Sequence, residues 1–115
     1  MNATRILTAD IKWPEPEAIA AERIVSGNPV ASTLVLRDDP GHQLGLWHVT
    51  EGSFRTDHAG YVEYIHILAG RGQLVDEEDN VINLEPGVTV LMDAGWRGRW
   101  IVHEAIIKTY TIVNQ

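Results

Sequence analysis

Cysteine is absent from this 115-residue chain, which excludes disulfides, thiolate metal sites and a cysteine nucleophile together. Basic residues are scarce: nine Lys and Arg stand against sixteen Asp and Glu, for a formal net charge of −7. Surfaces that bind phosphate backbones or anionic lipids draw affinity from clustered Lys and Arg, so neither nucleic acid nor a membrane is an expected partner. No apolar run approaches the length of a membrane span. The first residues, Met1 to Trp13, carry Arg5, Asp10 and Lys12 among apolar neighbours. They contain neither the apolar stretch of a secretory signal nor a lipidation pattern, so a cytoplasmic location is expected.

What is present suffices for one core. Hydrophobic residues make up 44% and charged residues 22%, the balance of a globular domain and not of a disordered chain. At this length there is room for a single core.

From Ser32 onward apolar residues alternate with period two, and Gly, Pro and acidic clusters recur about every ten residues, the pattern of an all-β sandwich or barrel. Eight strands are expected: Ser32 to Arg37, Gly45 to Thr50, Val62 to Ala69, Gln73 to Asp76, Val81 to Leu84, Val88 to Met92, Arg99 to Val102 and Ile106 to Val113. Eight strands fit a jelly roll. Turns are expected at Asp38-Asp39-Pro40-Gly41, Glu51-Gly52-Ser53, Gly70-Arg71-Gly72, Glu77 to Asn80 and Ala94-Gly95-Trp96. The run Asp76 to Asp79 lacks calcium-loop spacing and reads as a solvated hairpin tip. Pro14 to Glu22 suits a short helical turn outside the sheets. Residues 1–31 are thus an arm packing on the barrel and residues 32–113 the barrel domain.

Within the strand Val62 to Leu68, Glu63 shares a side with Ile65 and Ile67, while Tyr64 and His66 share the other with Val62 and Leu68. A carboxylate in an otherwise apolar strand needs a partner or a wet cavity to offset its desolvation. Because the strand is apolar on both sides, it should be covered twice, by the N-terminal arm or by a second copy in a homodimer.

Two segments carry most of the information. One reads His58-x4-Glu63-x6-Gly70; the other reads Pro86-Gly87-x5-Asp93-Ala94-Gly95-x2-Gly98. Their spacing resembles the two half-motifs of the cupin superfamily. In that resemblance His58 takes the place of the second His of the first half-motif, Glu63 of its Glu and Gly70 of its closing Gly. Thr56 stands where the first His belongs and Gly98 where the second half-motif places its metal-binding His; Asp93 and Val102 replace its Pro and Asn. Two of four ligands survive.

Further positions are similar to the small cupins related to the ureidoglycine aminohydrolase domain, a set that includes the ethanolamine-utilisation cupins. These are Gly45, Leu46, Trp47, Gly52 and Phe54, then Trp96, Trp100, Glu104, Lys108 and Tyr110. The resemblance implies an all-β cupin double-stranded β-helix, a jelly-roll barrel with a cavity at one mouth, and often a dimer.

Side-chain chemistry then frames the site. Glu63 and His58 are the candidate catalytic groups, and Glu63, His58, Trp47, His48, Trp100, Lys108 and Tyr110 the candidate ligand-binding set. A lysine on an inward face usually meets a carboxylate, which Glu63 or Glu104 would supply. No metal is expected, since a threonine hydroxyl is a poor ligand and glycine offers none. Should one be held, it would be Mn, Fe or Zn on His58 and Glu63, with His48 or His103 as third donor. Gly95 to Trp100 mixes indole and guanidinium groups that either grip a carboxylate or planar amide, or form a surface turn with Arg stacked on Trp.

Four readings follow. The first is a cupin with a depleted ligand set that binds a small polar or carboxylated metabolite. The second is a divalent-metal hydrolase of the ureidoglycine aminohydrolase type. The third is a metal-free isomerase using His66 with Tyr64 or Tyr110. The fourth is an assembly protein.

Overall fold

The computed structural model describes residues 1–115. Nine strands form one curled sheet: β1 Glu17–Ala18, β2 Ile24–Ser26, β3 Val30–Asp39, β4 His42–Val49, β5 Gly52–Asp57, β6 Tyr61–Asp76, β7 Val81–Leu84, β8 Thr89–Met92 and β9 Arg97–Asn114. The all-β cupin expectation holds. No helix is long and apolar enough to cross a membrane.

The two longest strands make the frame. β6 and β9 pair antiparallel from Tyr61↔Asn114 to Asp76↔Gly98. β4 flanks the C-terminal half of β9, from His42↔Val113 to Val49↔Ile106. β5 flanks its N-terminal half, from Gly52↔Val102 to Asp57↔Arg97. Between the halves the register shifts at Ile67 to Gly72, which leaves His103, Glu104 and Ala105 exposed on β9. Bulges of this kind bend a sheet and raise its twist, so one pair of strands can serve two walls.

Two expectations about β6 and β9 are corrected here. Val62 to Ala69 and Gln73 to Asp76 are one strand, as are Arg99 to Val102 and Ile106 to Val113. Gly70-Arg71-Gly72 is a bulge in a continuous strand, not a reversal. Gly70 has φ +90°, and a Cβ there would press into the Ala105 carbonyl and lie 2.8 Å from the Ile106 Cα. Glycine is required because the neighbouring strand passes too close.

The N-terminal region also departs from expectation. Pro14 to Glu22 is mostly not helical: its Glu17–Ala18 is β1, which pairs with β3, its end enters the 3₁₀ turn Ala21–Arg23, and β2 beyond it pairs with β5. Only three-residue 3₁₀ turns occur, at Thr8–Asp10 and Ala21–Arg23. The backbone groups of this arm find partners on open sheet edges, which satisfies them better than a short isolated helix would. The segment read as a turn at Glu51-Gly52-Ser53 opens β5, whose Phe54 is buried in the core.

Period-two alternation on the frame aims one set of side chains inward. Ile65, Ile67, Phe54, Trp100, Val102, Ile106 and Met92 form the centre of the core, each at most 4% exposed. At roughly 25 cal/mol per Å² of apolar area removed from water, this cluster supplies the main drive for closing the sheet.

Candidate functional site

The inner face of the barrel is polar at one end. β9 presents Ile106, Lys108, Tyr110 and Ile112 inward; their register partners on β4 are Val49, Trp47, Gly45 and Gln43. On β6 the partners of Lys108, Tyr110 and Ile112 are Ile67, Ile65 and Glu63. Strand alternation alone thus brings Glu63, Gln43, Trp47, Lys108 and Tyr110 to one space. Gly45 is part of the design: a Cβ there would lie 3.1 Å from the Tyr110 hydroxyl.

These residues, with Thr56, His58, Phe54, Trp100, Ile19, Arg23, Thr33 and Ile112, line a cavity of about 240 Å³. Its chemical centre is an ion pair. Lys108 Nζ donates to Glu63 Oε2 at 2.8 Å, with both residues buried. The ammonium lies 4.4 Å from the Trp47 ring centroid and 4.7 Å from that of Trp100, so two indole faces complete its surroundings. Burial lowers the Lys108 pKa, while the Glu63 charge and hydrogen bond act in the opposite sense. Tyr110 donates its hydroxyl to Gln43 Oε1 at 2.7 Å. Burial and then the Glu63 charge raise the Tyr110 pKa, so it stays a neutral donor.

His58 follows β5 and is 2% exposed. Its backbone joins the two motif segments: His58 N donates to Trp96 O, and Gly95 N donates to His58 O, each at 2.9 Å. The imidazole stacks on Tyr61 at 4.7 Å and meets the Trp96 edge at 5.5 Å. His58 Nε2 lies 3.7 Å from Glu63 Oε1, beyond hydrogen-bond range. His58 Nδ1 is buried with no partner. Burial lowers the His58 pKa, the Glu63 charge offsetting part of this, so the ring is held neutral.

Not every expected residue belongs. His48 points away from the cavity, as the alternation that aims Trp47 inward requires, and its ring lies 5.6 Å from Trp13. His103 is exposed at the bulge. Neither can serve as a third metal donor in the cavity. His66 points outward and bonds the Thr89 hydroxyl at 2.9 Å, so it forms no acid and base pair with Tyr110. Glu104 is exposed, and the partner of Lys108 is Glu63.

The donor set does not fit a metal. Thr56 and Gly98, at the positions of the two missing imidazoles, are direct partners across β5 and β9. A Cβ at 98 would press into the Val75 carbonyl and lie 2.7 Å from the Trp96 ring, so an indole fills the space a fourth ligand would need. Nowhere do three His, Asp or Glu residues converge, and the one buried carboxylate already faces an ammonium.

Gln43, Thr33, Arg23, Ile19, Phe54 and Ile112 were not among the expected lining residues. Gln43 shares the alternation of Gly45 and Trp47, a signal present in the sequence. Arg23 carries no such signal, because only the pairing of β2 with β5 brings it over Phe54.

A single curled sheet, with half-motifs joined through His58, Gly95 and Trp96 around a cavity at one mouth, defines a cupin domain. The chain belongs to the EutQ-like cupin domain family, whose model matches residues 36–110. No curated protein matches it. Among solved structures it is similar to a protein of unknown function from Pseudomonas syringae pv. tomato, with TM-score 0.76, 20% identity and 86% of this chain covered. This chain spans 43% of the length of that protein. It is also similar to the Clostridium difficile EutQ protein, with TM-score 0.67, 16% identity, and 85% and 80% of the two chains covered. For ectoine synthase from P. lautus the TM-score is 0.66 at 15% identity, over 80% and 68% of the two chains. At such identities these likenesses show the shared fold.

Proposed function

We propose that this cupin binds a small polar or carboxylated metabolite in the barrel cavity, with the Lys108 ammonium taking the electrostatic place of a metal ion beside Glu63. The observation that carries the reading is the Lys108 to Glu63 contact of 2.8 Å inside the cage of Trp47 and Trp100. One ammonium proton is used by Glu63, leaving others to point at a ligand oxygen. His58 Nδ1 lacks a partner, and a buried polar atom in that state calls for one. The Arg23 guanidinium adds donors at the wall, the Tyr110 hydroxyl, whose proton goes to Gln43, can accept, and the indoles supply flat apolar surface. A cavity of about 240 Å³ suits a metabolite below drug size.

Ligand oxygens would sit between Lys108 and His58. Glu63 and His58 are the groups able to accept or pass a proton there. The alternative of a ureidoglycine aminohydrolase type of metal chemistry needs a third donor, and His48 and His103 lie outside the cavity.

A thermal-shift series with small carboxylates and ureides, on wild type and on Glu63→Gln, tests the proposal. Stabilisation of wild type by at least one compound, reduced in the variant, is expected. No shift with any compound would contradict it.

A further inference from the structure

The chain has seven arginines, and four of them, Arg23, Arg55, Arg97 and Arg99, line one groove of about 860 Å³ at the β5 to β9 wall. We propose that this groove is a second binding site, for a doubly charged oxyanion carried by a phosphate monoester or a dicarboxylate. Arg23 and Thr56 line both this groove and the barrel cavity, but the inference does not rest on the cavity reading, since Arg55 and Arg99 lie on the wall's other face: Phe54 and Trp100 point into the barrel, and their strand neighbours Arg55 and Arg99 alternate outward.

Arg55 and Arg99 are direct partners across the antiparallel pair. Directly opposed residues have Cβ atoms roughly 4.5–5.5 Å apart, and like charges there oppose folding. A protein with a net charge of −7 has carboxylates to spare, yet none forms an ion pair with Arg23, Arg55 or Arg99. The acidic residues of the groove are already engaged. Asp57 and Glu77 hold Arg97 from two sides at 3.4 and 3.3 Å. Asp76 accepts from Glu78 N, Asn80 N and Asn80 Nδ2 at 2.9, 2.9 and 3.1 Å.

Arg23 is held in place, its Nε donating to Arg55 O at 2.9 Å while its guanidinium lies 5.5 Å over Phe54. Three guanidinium forks without carboxylate partners therefore border one concavity. Planar forks match the paired oxygens of phosphate and carboxylate, and two or more of them favour a ligand with two negative charges. Because the surrounding field is acidic, attraction is short-ranged and must come from direct contact.

Isothermal titration of the full chain at low ionic strength, with inorganic phosphate in one arm and malonate in the other, tests the site. One-to-one binding of at least one anion is expected; the arm that binds tells a phosphate ester from a dicarboxylate. The double variant R55Q/R99Q should bind about tenfold or more weakly, as loss of charge-assisted hydrogen bonds demands. R5Q/R71Q removes the same charge from exposed positions outside the groove and should bind like wild type. The single variant R55Q, at an exposed position, should weaken binding in the same sense and covers the case of a poorly folded double variant. Absence of binding in both arms, or equal losses in the two double variants, would overturn the proposal.

Discussion

The Lys108 ammonium reaches Glu63 across four register positions of the β6 to β9 pairing, from the Ile67↔Lys108 pair past Ile65↔Tyr110 to the Glu63↔Ile112 pair, and closes to 2.8 Å. Each is the other's only ion partner within hydrogen-bond range, so removing either member leaves the other charge buried without it. Lys108→Met should destabilise the protein by about 3–5 kcal/mol, the usual cost of leaving one buried charge unpaired. The double variant Lys108→Met, Glu63→Leu should recover most of that loss. Urea denaturation of wild type, both single variants and the double variant checks it; a double variant no better than the worse single would show that the pair is not the cause.

His58 sets an acid limit. Burial places its folded-state pKa below the ordinary 6.5, so in the interval between the two values the unfolded chain holds more protons. Stability therefore falls as pH drops from about 6.5 toward the folded value. Melting curves between pH 8 and pH 5 should show this loss for wild type and a flatter profile for His58→Gln. Parallel profiles would mean that His58 is not the titrating group.

Gly98 is a packing requirement, not a spare ligand position. Gly98→Ala should cost about 1–3 kcal/mol, since the added methyl meets the Trp96 ring and the Val75 carbonyl. Gly98→His should do worse and should not create a metal site. A melting temperature for Gly98→Ala equal to wild type would show that the wall yields more easily than its contacts indicate.

On the outer face, Tyr64 and Leu91 are partners across β6 and β8, and Val62 and Val113 across β6 and β9. Tyr64 is 50% exposed, Leu91 61% and Val113 42%, an uncovered apolar patch next to the strand that the sequence marks as apolar on both sides. A second copy of the chain is the proposed cover. Light scattering at micromolar concentration should give a dimer for wild type and a monomer for Tyr64→Lys. A monomeric wild type would remove the proposal.

Much of this site is legible in the sequence, for reasons tied to strand geometry. Once β6 and β9 are strands, alternation sends Glu63 with Ile65 and Ile67, and Lys108 with Tyr110, to the inner face. The spacing of the half-motifs likewise brings His58 beside Gly95 and Trp96. What the pattern could not reveal depends on long-range pairing. β5 hides behind a glycine turn signal, so Phe54, Thr56 and the arginine wall have no clear strand signature. The arm joins sheet edges through backbone groups, which any side chains permit, and this alone places Ile19 and Arg23. His48 lies outside the cavity because its neighbour Trp47 faces inward, and adjacent strand residues face opposite ways.

The central claim is that an ammonium, and not a metal ion, neutralises Glu63. Elemental analysis of the purified protein after incubation with manganese, iron and zinc tests it most directly. The account predicts no stoichiometric metal and no change in melting temperature with any of the three. One metal per chain, lost on His58→Ala, would contradict it.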